Sequence, residues 1–188
     1  METYSVNELR TGLKVIINGD PCNVVENEFV KPGKGQAFNR IRFHNLKTGR
    51  ILERTLRSGG ILPVADVVTI DMQYLYNDGE LWHFMIPKTC EQYVVPDETV
   101  GNKKQWIKEE TLCAVTIWND IPLSIDPPTF VELRITEIEP GVRGDTVTGG
   151  TKRAKLESGA VIRVPLFLNE GETIKVDTRN GEYVSRVR

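Results

Sequence analysis

The sequence predicts an all-β protein built from three small antiparallel barrels. Three observations lead to this class. Short segments with alternating or β-branched residues recur along the 188 residues, turn-forming residues separate them, and helix signals are scarce. Since strands so outnumber helices, a doubly wound sheet is disfavoured.

The strands and their turns can be placed along the chain. In the first third, the segments with the strand pattern are GLKVIINGD, NVVENEFV, FNRIRFHNL and RILERTLR. The hairpin turns fall at Asn18-Gly19, Thr48-Gly49, Asn77-Asp78-Gly79, Asn169-Glu170-Gly171 and Asn180-Gly181. The best helix candidate is residues 97–110, weakened by Gly101, and a short helical turn is expected at residues 5–9 with Ser5 as its cap.

Two breaks rich in glycine and proline divide the chain into three parts of similar size. They are GGILP at residues 59–63 and DPPT at residues 126–129. The predicted domains are therefore residues 1–64, 65–127 and 128–188. A domain of about 60 residues buries only ~60% of its unfolded surface, so we expect the three barrels to support one another at their junctions.

The composition is that of a globular protein in a reducing, cytoplasmic compartment. No apolar run approaches the ~18 residues of a membrane span, and the charged start METYSVNELR is unlike a secretory signal. Cys22, Cys90 and Cys113 form no CxxC pair, which argues against a disulfide framework. All three are expected to be buried and to act as small apolar residues.

The net charge of −2 hides an uneven distribution. One acid, Glu53, stands within residues 31–57, whereas residues 66–110 contain nine acids and four bases. The eight basic residues of the first range are Lys31, Lys34, Arg40, Arg42, Lys47, Arg50, Arg54 and Arg57. A local excess of cations is the footprint of a polyanion partner, although outward strand positions are polar in any case. The acidic middle segment would repel a polyanion, so any contact with one should be made from the basic residues 31–57.

The residues of common enzyme sites are missing or badly spaced. Both histidines, His44 and His83, lie in strand-like segments, and there is neither a GxSxG elbow nor a metal-ligand spacing. The segment GDTVTGGTK fails as a Walker loop because Gly150 and Thr151 precede Lys152. We therefore expect no enzyme and no metal. The segment is either an ordinary β-loop or a loop whose backbone donors follow a nucleic acid.

The segment EFVKPGKGQAF places one lysine, Lys34, between two glycines. Lys31-Pro32-Gly33-Lys34 fits a type II turn, with a positive φ at Gly33, and Gly35 lets the chain re-enter the next strand. Lys34 should then project into solvent. It could be a solvated turn lysine, hold a phosphate, or form a Schiff base, although that chemistry usually needs a desolvated amine.

Over its whole length the sequence resembles the bacterial elongation factor P family. FVKPGKGQAF is similar to the family's modified-lysine loop, with Lys34 at the modified position, and GDTVTGG is similar to the third-domain loop that meets transfer RNA. The family signature of the last third falls here on Lys152, Ala154, Gly159, Ile162, Val164-Pro165, Leu168 and Gly171-Glu172.

The resemblance implies a fold and a function. The barrels would be a KOW/SH3-like domain followed by two OB-folds, in an L shape similar in outline to transfer RNA. The protein would be a monomer that binds the 70S ribosome between the P and E sites, beside peptidyl-tRNA of the initiator or prolyl type, and relieves stalling at consecutive prolines. It would need no cofactor and would not bind a membrane. A lysyl-tRNA-synthetase-like enzyme would attach an (R)-β-lysyl group to Lys34, and the sequence leaves open whether hydroxylation follows.

Three sets of contact residues follow from the charge pattern and the resemblance together. The tip loop near the CCA end of peptidyl-tRNA is Lys31, Pro32, Gly33, Lys34, Gly35 and Gln36. The basic face for the acceptor stem is Arg40, Arg42, Lys47, Arg50, Arg54 and Arg57. The transfer-RNA loop of the third domain is Arg143, Gly144, Asp145, Thr146 and Gly149.

Two alternative functions stay open at this point. A stand-alone oligonucleotide-binding barrel protein would need aromatic stacking platforms, and the candidates lie in the acidic segment: Tyr74, Tyr76, Trp82 and Phe84. The other alternative is the elongation-factor-P-like paralogue, which we expect to carry a different tip loop.

Overall fold

The computed structural model describes residues 2–139 and 150–187, and strands account for most of them. The strands are β1 Thr3–Ser5, β2 Lys14–Ile17, β3 Asp20–Val30, β4 Phe38–Asn45, β5 Ile51–Arg57, β6 Ile61–Pro63, β7 Val67–Asn77, β8 Leu81–Met85, β9 Gln92–Pro96, β10 Leu112–Trp118, β11 Ile121–Asp126, β12 Phe130–Ile138, β13 Thr151–Leu156, β14 Val161–Pro165, β15 Thr173–Asp177 and β16 Glu182–Arg186. The helical segments are α1 Asp97–Val100 and two 3₁₀ turns, Val6–Glu8 and Gly101–Trp106. The predicted all-β class is confirmed.

The backbone divides into two compact units. The first comprises residues 1–70 and 116–124, and the second comprises residues 71–115 and 125–188. The first unit contains the sheets β2-β3-β4-β5 and β1-β6, and the second contains the sheet β14-β13-β12-β15-β16. A further five-stranded sheet has the order β11-β10-β7-β8-β9. The three domain ranges given by the sequence stay predictions.

Each unit has a core made by the inward side of its strands. In the first unit, the fully buried members include Val15, Val24, Ile41 and Phe43. The alternation in β4, where buried and outward residues alternate from Asn39 onward, shows why this sequence forms a sheet with one dry face.

Trp106 joins the core of the last sheet in the second unit. Its side chain is 6% exposed and packs among residues such as Leu133 and Val164. A Cβ added to Gly181 would lie 3.4 Å from the Trp106 ring. A residue that the sequence assigned to the middle domain therefore completes the core of the last sheet, which gives the expected mutual support a physical form.

Local turn chemistry was predicted with mixed success. Asn18 and Gly19 both have positive φ, 54° and 86°, as the favoured two-residue hairpin turn requires. The helix expected over residues 97–110 is split at Gly101, where φ is 55°. The predicted helical turn near Ser5 is present, but the Ser5 side chain makes no capping hydrogen bond, so that detail was wrong.

The cysteines correct another expectation. Cys22 and Cys113 are buried as predicted, but Cys90 is exposed. It lies in the turn between β8 and β9 with φ of 58°, where its N–H donates to the Ile86 carbonyl. Cys90 is exposed because it belongs to this turn and not to a strand that faces the core. Burial is the main cause that raises the pKa of Cys113 to about 12. Of the described helices, none is long and apolar enough to cross a membrane.

Candidate functional site

The tip loop lies at the end of the β3–β4 hairpin in the first unit. The two strands pair antiparallel as far as Val30, which stands opposite Phe38. Residues 31–37 then reverse the chain through a bend at residues 33–35. A paired hairpin of this length places the loop at a defined position, beyond the last rung of the sheet.

The glycine geometry of this loop differs from the predicted type II turn. The positive φ, 116°, belongs to Gly35 and not to Gly33, so the prediction for Gly33 was wrong. A Cβ on Gly35 would also lie 3.7 Å from Pro32 Cγ, whereas one on Gly33 would have nothing within 4 Å. The chain reverses over residues 31–37, a wider loop than a four-residue turn, and its left-handed residue is Gly35.

Lys34 is exposed at the tip of this loop. In the part of the chain that the structure describes, it has no hydrogen bond and no ion pair. The rest of the predicted tip set shares the loop: Lys31, Gly33, Gly35 and Gln36 are exposed, and Pro32 is half-buried. Because a Schiff-base lysine is usually desolvated, this exposure favours presentation of the ammonium over covalent catalysis.

Two asparagines, half-buried Asn27 and buried Asn39, fix the base of the hairpin. Asn27 Nδ2 donates to the backbone carbonyls of Val6 at 3.1 Å and Leu9 at 2.9 Å. Asn39 Nδ2 donates to Asn27 Oδ1 at 2.9 Å. The network therefore ties β3 and β4 to the N-terminal 3₁₀ turn Val6–Glu8, and it holds the stem of the loop rigid.

Sequence reasoning missed this network, although a signal was present. Asn39 is 2% exposed and lies opposite Leu56 of β5, on the inward side of the sheet. An asparagine at an inward position of an otherwise apolar alternation indicates a buried hydrogen-bond network, since buried polar groups are nearly always paired. Asn39 Oδ1 has no partner among the described residues.

The expected basic face is a mixed surface. Arg40 lies between Glu28, at 3.9 Å, and Glu53, at 3.8 Å. Arg42 Nη1 lies 3.3 Å from Glu26 Oε2. The two acids of β3 stand directly opposite their arginines, whereas Glu53 on β5 stands opposite Arg42 and reaches Arg40 diagonally. The linear charge count over residues 31–57 left out the acids of β3.

The other basic residues are dispersed over different parts of the sheet. Lys47, in the turn after β4, pairs with Asp20 at 3.7 Å. Arg54 stands opposite buried Ile41, so it shares the inward side of the sheet and not the side of Arg40. The members of the set without an ion pair among the described residues are Arg50, Arg54 and Arg57. Cross-strand partners and strand alternation therefore separate the members of this set, and its contact with an acceptor stem stays a prediction.

The third predicted set cannot be compared with the structure. Arg143, Gly144, Asp145, Thr146 and Gly149 all lie outside the described residues. The strands on either side, β12 and β13, pair antiparallel, with Ile138 opposite Ala154.

The aromatic residues of the middle segment form a core and not a stacking platform. Tyr74, Trp82 and Phe84 are 7%, 8% and 0% exposed, and the Tyr74 ring packs against both others. Tyr76, at 51%, is the exposed member of the four. A bulge between Tyr74 and Tyr76 interrupts the alternation of β7 and turns Tyr76 outward.

The histidines are strand residues, as predicted. His44 lies in β4 and His83 in β8. Within the described ranges, no group of three or more histidine, cysteine or acidic side chains could hold a metal ion. What the described chain offers to a partner is therefore an exposed cationic loop on a rigid β-hairpin, which defines a class of β-barrel binding proteins.

The comparisons with known proteins match all three parts of the chain. The elongation factor P KOW-like domain matches residues 5–62, the elongation factor P OB domain matches residues 67–125, and the elongation factor P C-terminal domain matches residues 131–186. The chain belongs to the elongation factor P family. It is thus a translation elongation factor and not an enzyme, with a KOW-like domain and OB-type barrels, and the family implies interaction with the ribosome.

Solved structures agree on the fold. A eukaryotic translation initiation factor 5A from Methanococcus jannaschii aligns with a TM-score of 0.53 at 20% identity, covering 67% of this chain and 93% of that one. A translation initiation factor 5A family protein from Naegleria fowleri aligns with a TM-score of 0.55 at 21% identity, covering 66% and 97%. At these identities the likeness concerns the fold alone.

Proposed function

We propose that the protein binds the 70S ribosome between the P and E sites and stimulates peptide-bond formation at consecutive prolines. Lys34 would reach the CCA end of peptidyl-tRNA, of the initiator or prolyl type, and hold it in the reactive geometry. The exposed Lys34 at the end of the β3–β4 hairpin is the observation that carries this proposal. A cation on a flexible stem, carried by a rigid base, suits a brace for a flexible anionic end.

The physical reason concerns positioning. Proline is a constrained secondary amine and a poor acceptor in peptidyl transfer. A misplacement of ~1 Å between reacting groups can cost ~100-fold in rate. The Asn27–Asn39 network supports the proposal, because a brace can position its target only if its own base is fixed.

A modification of Lys34 belongs to the proposal. Lysine alone is short for the distance from a backbone loop to a ribosomal active centre, and an (R)-β-lysyl group would lengthen it while keeping positive charge. A lysyl-tRNA-synthetase-like enzyme would attach it, and hydroxylation could follow. Open space around Gly33, where an added Cβ would meet nothing within 4 Å, supports access for such an enzyme.

The dispersed basic residues would supply salt-sensitive phosphate contacts. Arg40 and Arg42 are already paired with Glu28 and Glu26, so they would contribute less to these contacts than the arginines that have no ion pair among the described residues. The residues without ion pairs, such as Arg54, are available directly. In the last domain, Arg143, Gly144, Asp145, Thr146 and Gly149 are proposed to contact transfer RNA, on the resemblance alone.

The decisive experiment compares Lys34→Ala with the modified wild-type protein in reconstituted translation. On a template with consecutive prolines, the variant should lose the acceleration, which is tenfold for every ~1.4 kcal/mol of transition-state stabilisation. On a proline-free template both proteins should have little effect. Lys34→Ala should still bind ribosomes through the other basic residues, but binding alone does not speed the reaction.

Two controls separate this result from trivial causes. Lys34 buries nothing, so Lys34→Ala should change the unfolding free energy by no more than ~0.5 kcal/mol. Intact mass of protein from its native host reports the modification. Full rescue by Lys34→Ala, or equal acceleration of both templates, would contradict the proposal.

The oligonucleotide-binding alternative lacks support from the side chains. Stacking of successive bases needs several open aromatic faces, but Tyr74, Trp82 and Phe84 are buried. Filter binding to single-stranded RNA tests this point directly, and we expect weak retention in the absence of ribosomes.

A further inference from the structure

The outward face of β7, β8 and β9 carries a row of exposed apolar side chains. Tyr76, His83 and Val94 stand opposite one another across the three strands. Tyr76 is 51% exposed and Val94 is 43% exposed. Leu81, opposite Pro96 in the next outward position, is 37% exposed. Since this row lies on the side of the sheet away from the core, burial during folding does not account for it.

Tyr76 and His83 form an ordered aromatic pair with a carboxylate at its edge. Their rings stack with centroids 4.3 Å apart and planes 15° apart, and His83 Nε2 lies 2.9 Å from Asp78 Oδ2. Asp78 Oδ1 accepts the backbone N–H groups of Glu80 at 3.2 Å and Leu81 at 2.9 Å. The His83 bond first, and these backbone bonds after it, lower the pKa of Asp78 to about 2.

The surroundings of this pair are acidic. Residues 67–96, which contain β7, β8, β9 and the turns between them, hold four acids and one base, Lys88. Asp71 and Glu80 are exposed and have no ion pair among the described residues. The field at this face therefore attracts cations and repels phosphates.

We propose that this face is a docking site for a basic protein segment. An arginine or lysine of that segment lies over the open side of the Tyr76 ring, within ~6 Å of its centre, and pairs with the Asp78 carboxylate at the edge. An apolar neighbour in the same segment covers Val94. The acids around the row repel RNA, so a protein and not a nucleic acid fits here. The site is separate from the tip loop and does not depend on the function proposed for Lys34.

An NMR titration of the full chain tests the proposal. The probe is a short acetylated and amidated peptide of alternating arginine and leucine. The backbone amide signals of Tyr76, His83 and Val94 should shift and saturate with this peptide. A glutamate-leucine peptide of the same length and a single-stranded RNA oligonucleotide should leave them unchanged.

Three variants locate the contact. Tyr76→Ala should weaken binding of the arginine peptide by about two- to fivefold, the range of a cation–π contact at an exposed site. Asp78→Asn should weaken it by up to about fivefold, the range of an exposed ion pair. Asp78→Asn removes the charge but keeps acceptors for the turn. Val161→Ser is the matched control, because Val161 is 60% exposed on β14, and its affinity should equal that of the wild type. Thermal unfolding confirms that each variant is folded.

Several results would overturn the proposal. They are equal affinity for the wild type and Tyr76→Ala, shifts that map to other surfaces, no saturable binding, and displacement of the peptide by the RNA oligonucleotide. Sedimentation that finds a dimer dissociated by Tyr76→Ala would give the face to a second copy of this chain instead, which also refutes a basic partner.

Discussion

The β3–β4 and β7–β8 hairpins are alike in architecture but opposite in what their tips present. Each is an antiparallel pair with a β-bulge and a glycine in its connection. The first ends in the cation of Lys34, which has no partner among the described residues. The second ends in the anion of Asp78, which accepts three hydrogen bonds. A hairpin can therefore present the charged side chain at its tip to solvent or hold it by hydrogen bonds within the protein.

The difference arises from loop length and turn chemistry. Residues 78–80 connect β7 to β8, and a tight turn of this kind brings the Asp78 carboxylate within reach of backbone donors. Residues 31–37 connect β3 to β4, and their glycines offer no side-chain acceptors. Rigidity in the first hairpin is supplied below the tip, by Asn27 and Asn39. Charge at its tip is thus free while its base is fixed.

The largest expected effect breaks the geometry of the first tip. Gly35→Val places a β-branched side chain at φ of 116°, a conformation in which such a residue is a strong outlier. The loop should rearrange, and proline rescue should fall about tenfold or more, as a misplaced positioning group predicts. Reconstituted translation on a proline template measures it.

Gly33→Ala is the matched control for the tip. An added Cβ there meets nothing within 4 Å and the backbone is not left-handed, so rescue should stay within a few-fold of the wild type. Sensitivity at Gly33 with tolerance at Gly35 would show that the loop adopts the type II turn after all when it works.

The second prediction concerns the base of the same hairpin. Asn27→Ala leaves two backbone carbonyls, of Val6 and Leu9, without their donor. A part-buried group that loses its partner costs about 1–3 kcal/mol, so the free energy of unfolding should fall by that amount in urea denaturation. Thr55→Ala, at an exposed position of β5, should stay within ~0.5 kcal/mol. An Asn27 variant as stable as the wild type would mean that water replaces the amide.

The sequence was sufficient for the fold class because alternation and turn residues are local signals. The period of two in β4 and the Asn18-Gly19 turn each specify strand and reversal without reference to distant residues. Trp106 shows the limit. Its aromatic side chain is visible in the sequence, but its place in the core of the last sheet depends on a tertiary contact with Gly181.

The site was predicted in part, and the difference at the arginines has a clear physical cause. Lys34 could be assigned to an exposed loop because proline and glycines surround it. The charge count over residues 31–57 failed for Arg40 and Arg42, because their acidic partners on β3 lie outside that window. Cross-strand neighbours are distant in sequence, so a linear window does not see them.

The third prediction sharpens the contrast between free and engaged charges within the first unit. Arg54→Gln removes a cation that has no ion pair among the described residues, so ribosome binding should weaken. The slope of log affinity against log salt concentration should become shallower by about one, the loss of one phosphate contact. The double variant Arg42→Gln with Glu26→Gln removes a whole ion pair, joined at 3.3 Å, and leaves the net charge unchanged. Its binding should remain close to that of the wild type. Equal losses in both variants would show that Arg42 leaves Glu26 for RNA when it binds.

The smallest effect tests whether the charge at the second tip is engaged. Asp78 has its pKa lowered from 3.8 to about 2, first by the His83 side chain and then by two backbone donors. A carboxyl with a depressed folded-state pKa adds stability above its unfolded pKa and loses it as pH falls through the folded value. The contribution of Asp78 should therefore disappear between pH ~4 and pH ~2.

Denaturant unfolding at pH 5 and pH 2 measures that contribution. Asp177, whose pKa is also lowered to about 2, chiefly by Arg179, titrates in the same window, so the comparison must be made between variants. The wild type should lose more stability than Asp78→Asn on acidification, because asparagine cannot ionise and keeps its turn bonds at both pH values. If the two proteins lost stability equally, Asp78 would not be held as an anion by its neighbours, and the contrast between a free and an engaged tip would fail at the second hairpin.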